Sequence, residues 1–325
     1  MVLTLSVLAG MCGSSLGSGA VDQPAPPAAP ATTVLSVDPK ATFLISDKRI
    51  QEDSEIFWPG FLTGLRGFEQ FYNPVGNPIY FESPLNNTGV RFLYLHHNFD
   101  DNSTLRGGDL DVIAAQARVA ITERLGFIAT KDGHSDFHSG ALPHASGWND
   151  IAAGLKYVVY VDRDADYVAT VGARYQMGNG NPKVLQGGVQ ELSPFVSFAK
   201  GWEKFHLIGN LTDRVPLSTD DGNNVLQWDV HADYEVCKGV APMIELHGLH
   251  YLSNGTRTPL PIGGADYTNL GSNNVSGSTI IWLGVGGRIK LTPQISVGAT
   301  YEHPLTNPKA DIFGSRVTVD LELTW

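Results

Sequence analysis

Residues 226 to 236 alternate without a break: Leu226, Trp228, Val230, Ala232, Tyr234 and Val236 are apolar, while Gln227, Asp229, His231, Asp233 and Glu235 are polar. A period of two places successive side chains on opposite faces of a strand, so this stretch must form a sheet with one apolar and one fully polar face. The same pattern closes the chain, where Val317, Val319, Leu321, Leu323 and Trp325 alternate with Thr318, Asp320, Glu322 and Thr324. Strand-like runs recur near 90–99, 109–122, 125–131, 148–161, 166–176, 189–200, 204–212, 225–237, 241–252, 279–290, 294–303 and 314–325. Almost nothing between them has a helical period.

The connections sort by length. Those near 123, 163, 202, 239 and 292 take about two to five residues, and those near 104, 140, 182, 218, 265 and 308 about nine to twenty-six. All the short ones fall on one side, the asymmetry of an antiparallel up-and-down transmembrane β-barrel with short periplasmic turns and long external loops. The expectation is therefore an all-β barrel of about twelve strands over 90–325. Alternation alone leaves a soluble sheet open, because it does not say which face meets water. Composition favours lipid: 17% of residues are charged, against roughly 25% in soluble domains. The longest apolar run, Val2 to Cys12, is far shorter than the roughly 20 residues of a spanning helix.

Upstream, residues 1–20 have the apolar centre and the Ser18-Gly19-Ala20 ending of a signal peptide, though without an early Lys or Arg. Residues 21–40 form a Pro/Ala-rich linker. Residues 41–89, aromatic and broken by Pro59, Pro74, Pro78 and Pro84, are expected to be a periplasmic or plug-like segment. Export to the outer membrane of a Gram-negative-type bacterium follows, with outer-membrane lipid, the barrel-assembly machinery and a small-molecule solute as partners. The net charge of -11 argues against nucleic acid.

Gly147-Trp148-Asn149-Asp150-Ile151 continuing to Gly154-Leu155-Lys156-Tyr157, Ile121-Thr122-Glu123-Arg124-Leu125, and Leu192-Ser193-Pro194-Phe195 with Gly209-Asn210-Leu211 together resemble outer-membrane proteins of the meta-pathway phenol-degradation family. The resemblance covers roughly Val90 to Trp325. It implies a transporter-type barrel, and for some members uptake of aromatic or other hydrophobic compounds. The ending on Trp325 similarly resembles the C-terminal membrane-insertion signal of outer-membrane barrels, carried by Val317, Val319, Leu321, Leu323 and Trp325.

In such a barrel the lumen receives Arg118, Lys156, Arg174, Asp229, His231, Asp233, Glu235, Glu245, His247, Arg288, Glu302, Arg316, Asp320 and Glu322. Two roles fit: charge pairs that stiffen a small lumen, or rings that select solutes in a pore. In the Asp229, His231, Asp233 and Glu235 stripe, ligands two apart on a strand stand about 7 Å apart, too wide for one compact metal site without cross-strand help, so neither metal nor cofactor is expected. Asp162, Asp164 and Asp166 lack the glycine and closing glutamate of a calcium loop and read as a solvated turn. The chain is read as a channel or transporter for small solutes. The alternative is a structural or adhesive barrel with a closed lumen. An outer-membrane lipid hydrolase using His247 or His250 with Ser253 is the remaining option; no Gly-x-Ser-x-Gly elbow supports it.

Overall fold

A computed structural model of the chain describes residues 60–218, 220–307 and 311–325. The signal-peptide and linker readings, and that of residues 41–59, lie outside the described residues. The strands are β1 (Gly89–Asn98), β2 (Gly108–Ala120), β3 (Leu125–Lys131), β4 (His134–Ser139), β5 (Ala145–Trp148), β6 (Ala152–Asp162), β7 (Tyr167–Gln176), β8 (Glu191–Trp202), β9 (Phe205–Pro216), β10 (Val225–Tyr234), β11 (Val240–Tyr251), β12 (Thr279–Lys290), β13 (Ile295–Pro304) and β14 (Ser315–Thr324). One 3-10 turn, Pro182–Val184, is the only helical element among the described residues.

All pairings between the strands are antiparallel, and β1 pairs along its whole length with both β2 and β14. Gly89 faces Arg118 on one side and Thr324 on the other, so the sheet closes on itself. β3 and β4 both lie against β2, and β6 and β5 continue the next strand beside them. Two of the fourteen segments are thus continuations across breaks, and the barrel has twelve staves. Closure pairs the backbone groups that an edge strand would leave open, the condition for a sheet surrounded by hydrocarbon.

Burial decides which face is outside. Along β8, Leu192, Val196, Phe198 and Trp202 are exposed while Glu191, Ser193 and Ser197 are buried. On β10, Val230 is 38% exposed and Asp229 1%. A soluble sheet would invert this arrangement; an apolar exterior around a polar interior suits lipid outside. Exposed aromatics include Tyr160, Trp202, Phe205, Tyr234 and Trp325 near the short turns, Trp148, Tyr175 and Tyr301 toward the long loops, and Phe92, Tyr94 and Phe198 between them. Those near the two ends lie where amphipathic rings meet a membrane surface.

The short turns lie at 121–124, 163–166, 203–204, 235–239 and 291–294, on one side as expected. The expected long connection near 140 is instead mostly strand: β4 and β5 extend the wall and leave only residues 140–144 as the tip. In the 163–166 turn, Asp162 Oδ1 accepts the Ala165 N–H at 2.9 Å, an ordinary tight turn.

Candidate functional site in the barrel interior

Residues 60–88 run inside the barrel. No other path lets so short a stretch bond to the inward faces of β1, β2, β6, β7, β8, β10, β11, β12 and β14. Its apolar side chains, Leu65, Phe68, Phe71, Phe81 and Leu85, pack on Val158, Val168, Ala199 and Ile208 near the short-turn end. Beyond them the contacts become polar.

Glu82 receives a bidentate contact from Arg118, at 3.0 and 2.8 Å, and a third from Lys156 Nζ at 2.8 Å. Lys156 also donates to the Ser83 and Leu85 carbonyls, and Arg174 to those of Ile79 and Tyr80. Glu245 accepts the Val75 and Gly76 N–H groups at 2.9 and 2.7 Å, and Asp229 accepts Asn77 Nδ2 at 2.6 Å. Arg288 Nε donates to the Asn73 carbonyl at 2.9 Å, and Glu322 accepts Asn73 Nδ2 at 2.7 Å. The wall therefore holds the segment largely by its backbone: cations take its carbonyls and carboxylates take its N–H groups. Seven of the expected interior residues, Arg118, Lys156, Arg174, Asp229, Glu245, Arg288 and Glu322, meet it directly.

Others bond within the wall. His206, Asp233, His231 and Glu245 form a continuous chain at 2.7, 3.0 and 2.8 Å. His247 Nδ1 meets Asp229 at 2.8 Å, and Asp320 binds Arg288 Nη2 at 2.7 Å and Arg91. Glu302 is clamped by Arg316 through two 2.7 Å contacts and receives Trp282 Nε1 at 2.8 Å. Glu235 lies just past the strand, with its carboxylate beside Tyr72 of the segment. β10 ends at Tyr234, and Glu235 is half-buried in the following turn, its N–H donating to Lys204 O.

The opposite end is covered by the loop 252–278. Arg316 holds Asp266 at 2.9 and 2.7 Å, Arg214 donates to Ala265 O at 2.8 Å, and Tyr267 Oη donates to Val184 O at 2.9 Å. Burial alone would raise the Asp266 carboxyl pKa, but the Arg316 guanidinium overcomes it and holds the group below its usual range. Ile262, Ala265 and Tyr267 pack with Tyr251, Trp282 and Phe313 in an apolar lid. Between the segment and the wall, a void of about 10 Å³ lined by Ile79, Tyr80, Thr130, Arg174 and Ser193 has room for about one water.

Sequence reasoning missed Glu82, Arg91, Glu191, Arg214 and Asp266. Glu191 carried a signal, since it is in phase with Ser193 and Ser197 opposite Leu192, Val196 and Phe198, but Arg91 shares its phase with Leu93 and Leu95 and gave none. Arg214 lay beyond the expected end of its strand at 212, and Glu82 and Asp266 lie in stretches with no period.

One further feature is on the outer face. The wall breaks at Asp132–Gly133 and at Asn149–Ile151, where the Ala115 N–H donates to Asp132 Oδ1 at 3.2 Å instead of to a ladder carbonyl. A cleft of about 570 Å³ opens there, lined by Phe92, Ile113, Ala115, Trp148 and Ile151 with Asp132 and Asn149.

Fold and interior together define a closed twelve-stave barrel of the outer-membrane type with an occupied lumen. Among solved structures, the chain is similar to the COG4313 outer membrane channel from Pseudomonas putida F1, with TM-score 0.53 and 12% identity over 78% of this chain and all of that one. The KdgM porin in complex with disordered oligogalacturonate matches at TM-score 0.43 and 10% identity, over 73% of this chain and 99% of that one. The NanC porin matches at 0.38 and 11%, over 73% of this chain and 98% of that one. At such identities the first shows the shared fold alone. No family model and no curated relative matches the chain.

Proposed function

We propose that the protein is an outer-membrane channel or transporter for small solutes, closed from within by residues 60–88 and covered outside by the loop 252–278. The observation that carries this reading is how the lumen is filled. An apolar plug would be costly to withdraw into water. Here the apolar contacts are confined to the short-turn end, and beyond them the wall's charges hold backbone groups, two side-chain amides and one carboxylate, polar groups that water can solvate once the segment leaves. The vacated lumen would be lined by Arg118, Lys156, Arg174, Asp229, Glu245 and Arg288, a mixed-charge surface suited to selecting solutes. Single-channel recording in a planar bilayer tests this: Asp229→Asn and Glu245→Gln should shift the ion selectivity of the open state. Stepwise currents whose selectivity ignores both substitutions would count against these residues lining the path.

A hydrophobic or aromatic solute, as the meta-pathway resemblance implies, finds support in the outer cleft. The segment Gly147 to Ile151 that carries part of the resemblance also supplies Trp148, Asn149 and Ile151 to the cleft wall. Trp148→Ala should slow uptake of a small aromatic compound by proteoliposomes and leave ion conductance unchanged. Equal uptake by both proteins would remove the cleft from the route.

The outward row Val317, Val319, Leu321, Leu323 and Trp325 would face outer-membrane lipid and serve the barrel-assembly machinery as the insertion signal. A structural barrel with a permanently closed lumen is the second reading, favoured by the number of buried charges already paired. The hydrolase has less support, because its residues do not meet: His247 is buried against Asp229, His250 Nδ1 pairs with Thr279 Oγ1, and Ser253 Oγ accepts the Asn224 N–H.

A further inference from the structure

The hairpin of β4 and β5 carries a cluster outside the lumen. Asp136 and His138 lie two apart on β4 and so share its outer face, and His144 returns beside them from the tip. One ligand atom from each of the three, two imidazole nitrogens and a carboxylate oxygen, lies within 4.8 Å of the others. The imidazoles of His138 and His144 stack in parallel, centroids 4.0 Å apart and planes at 9°. His144 Nε2 lies 2.7 Å from Asp136 Oδ1, so an imidazole and the carboxylate of the cluster already meet.

The charge around them is one-sided. Asp109 and Asp111 lie opposite His138 and Asp136 on β2. The ion pairs made by Asp109, Asp111 and Asp136 are with His138, His96 and His144, and none is with Lys or Arg among the described residues. Asp109 Oδ1 stands 3.3 Å from His138 Nδ1, close enough for that nitrogen to donate to it after a small rotation of the ring, which would leave Nε2 for an ion. A carboxylate behind an imidazole is the arrangement that orients metal-ligating histidines.

We propose that Asp136, His138 and His144 bind a divalent transition-metal ion of zinc-like preference, with Asp109 as the positioning residue for His138. Two imidazoles and a carboxylate are a borderline donor set suited to zinc, and three protein ligands leave a fourth position for water. Small adjustments of these exposed side chains would bring the three donors to Zn–N and Zn–O distances near 2 Å. The bound ion ties β4 to the far side of the 140–144 tip. The same hairpin supplies His134 and Trp148 to the outer cleft, so the ion stiffens the flap beside it. None of this rests on the channel reading.

The experiment is calorimetric titration of the full-length, tag-free, refolded protein with Zn²⁺, with Co²⁺ absorption reporting ligand geometry. One ion per chain is expected, with a visible Co²⁺ band of tetrahedral intensity and slowed hydrogen exchange at 140–144. His138→Ala with His144→Ala should abolish this binding, and Asp109→Asn should weaken it roughly 10–100-fold at unchanged stoichiometry. If the double variant does not fold, His144→Gln in the exposed tip carries the same expectation. Absence of saturable binding, or binding unchanged in the histidine variants, would overturn the site; an Asp109→Asn protein of full affinity would overturn the positioning role.

Discussion

A Cβ on Gly76 would stand 2.5 Å from Glu245 Oε2 and 2.8 Å from His247 Nε2, inside contact distance of both. Only glycine lets the segment's backbone approach close enough for its N–H to reach Glu245. Gly76→Val should weaken docking of residues 60–88 by about 1–3 kcal/mol, the usual cost of overfilling a packed site. Limited proteolysis of that segment in detergent should then become faster; an unchanged cleavage rate would show that Gly76 sits in looser surroundings than the geometry indicates. Glu82→Gln acts differently, since Lys156 is 1% exposed and loses a charged partner it shares with Arg118. A buried pair broken on one side costs about 3–5 kcal/mol, and chemical denaturation should register a loss of that order. At this scale the sequence showed half of each contact. Lys156 and Glu245 were visible as polar positions of alternating strands. Their partners were not, because aperiodic residues between prolines give no sign of which wall they face.

Strands were the most legible elements, since a period of two survives whichever face meets water. What the sequence could not decide on β8 and β10 was the sense of the alternation, and burial of Glu191 and Asp229 with exposure of Val196 and Val230 decides it. β4 was misjudged as loop because His134 to Ser139 is short and polar and lies beyond the apolar band, where strand and loop have similar composition. The loops themselves carry a pH prediction. Burial lifts the carboxyl pKa of Asp311, between β13 and β14, from 3.8 to about 7, and Tyr251 Oη donates to it at 2.8 Å. A folded-state pKa above the unfolded one means the proton favours the folded loop. That stability is fully present below the unfolded pKa of 3.8 and is lost as pH rises through about 7. Hydrogen exchange of residues 311–314, corrected for intrinsic rates, should show weaker protection at pH 8 than at pH 5, and Asp311→Asn should remove the difference. Equal protection in the original protein at both pH values would mean that Asp311 is ionised throughout.

For the molecule as a whole, the wall and its filling obey different rules. The wall is specified by alternation and closure, so its twelve staves emerge from pattern. The filling is specified by charge pairs between segments far apart in sequence, which no local pattern reports. The two meet in the question of whether residues 60–88 are a removable closure or a permanent core. The deciding measurement is single-channel conductance of the full-length protein beside a variant lacking residues 60–86, each first shown to be a folded barrel by heat-modifiable migration. Rare or small openings in the full-length protein and large, persistent steps in the shortened one are the result expected of a channel closed from within. Silence from both folded barrels would contradict the channel and leave a structural barrel whose interior stays shut.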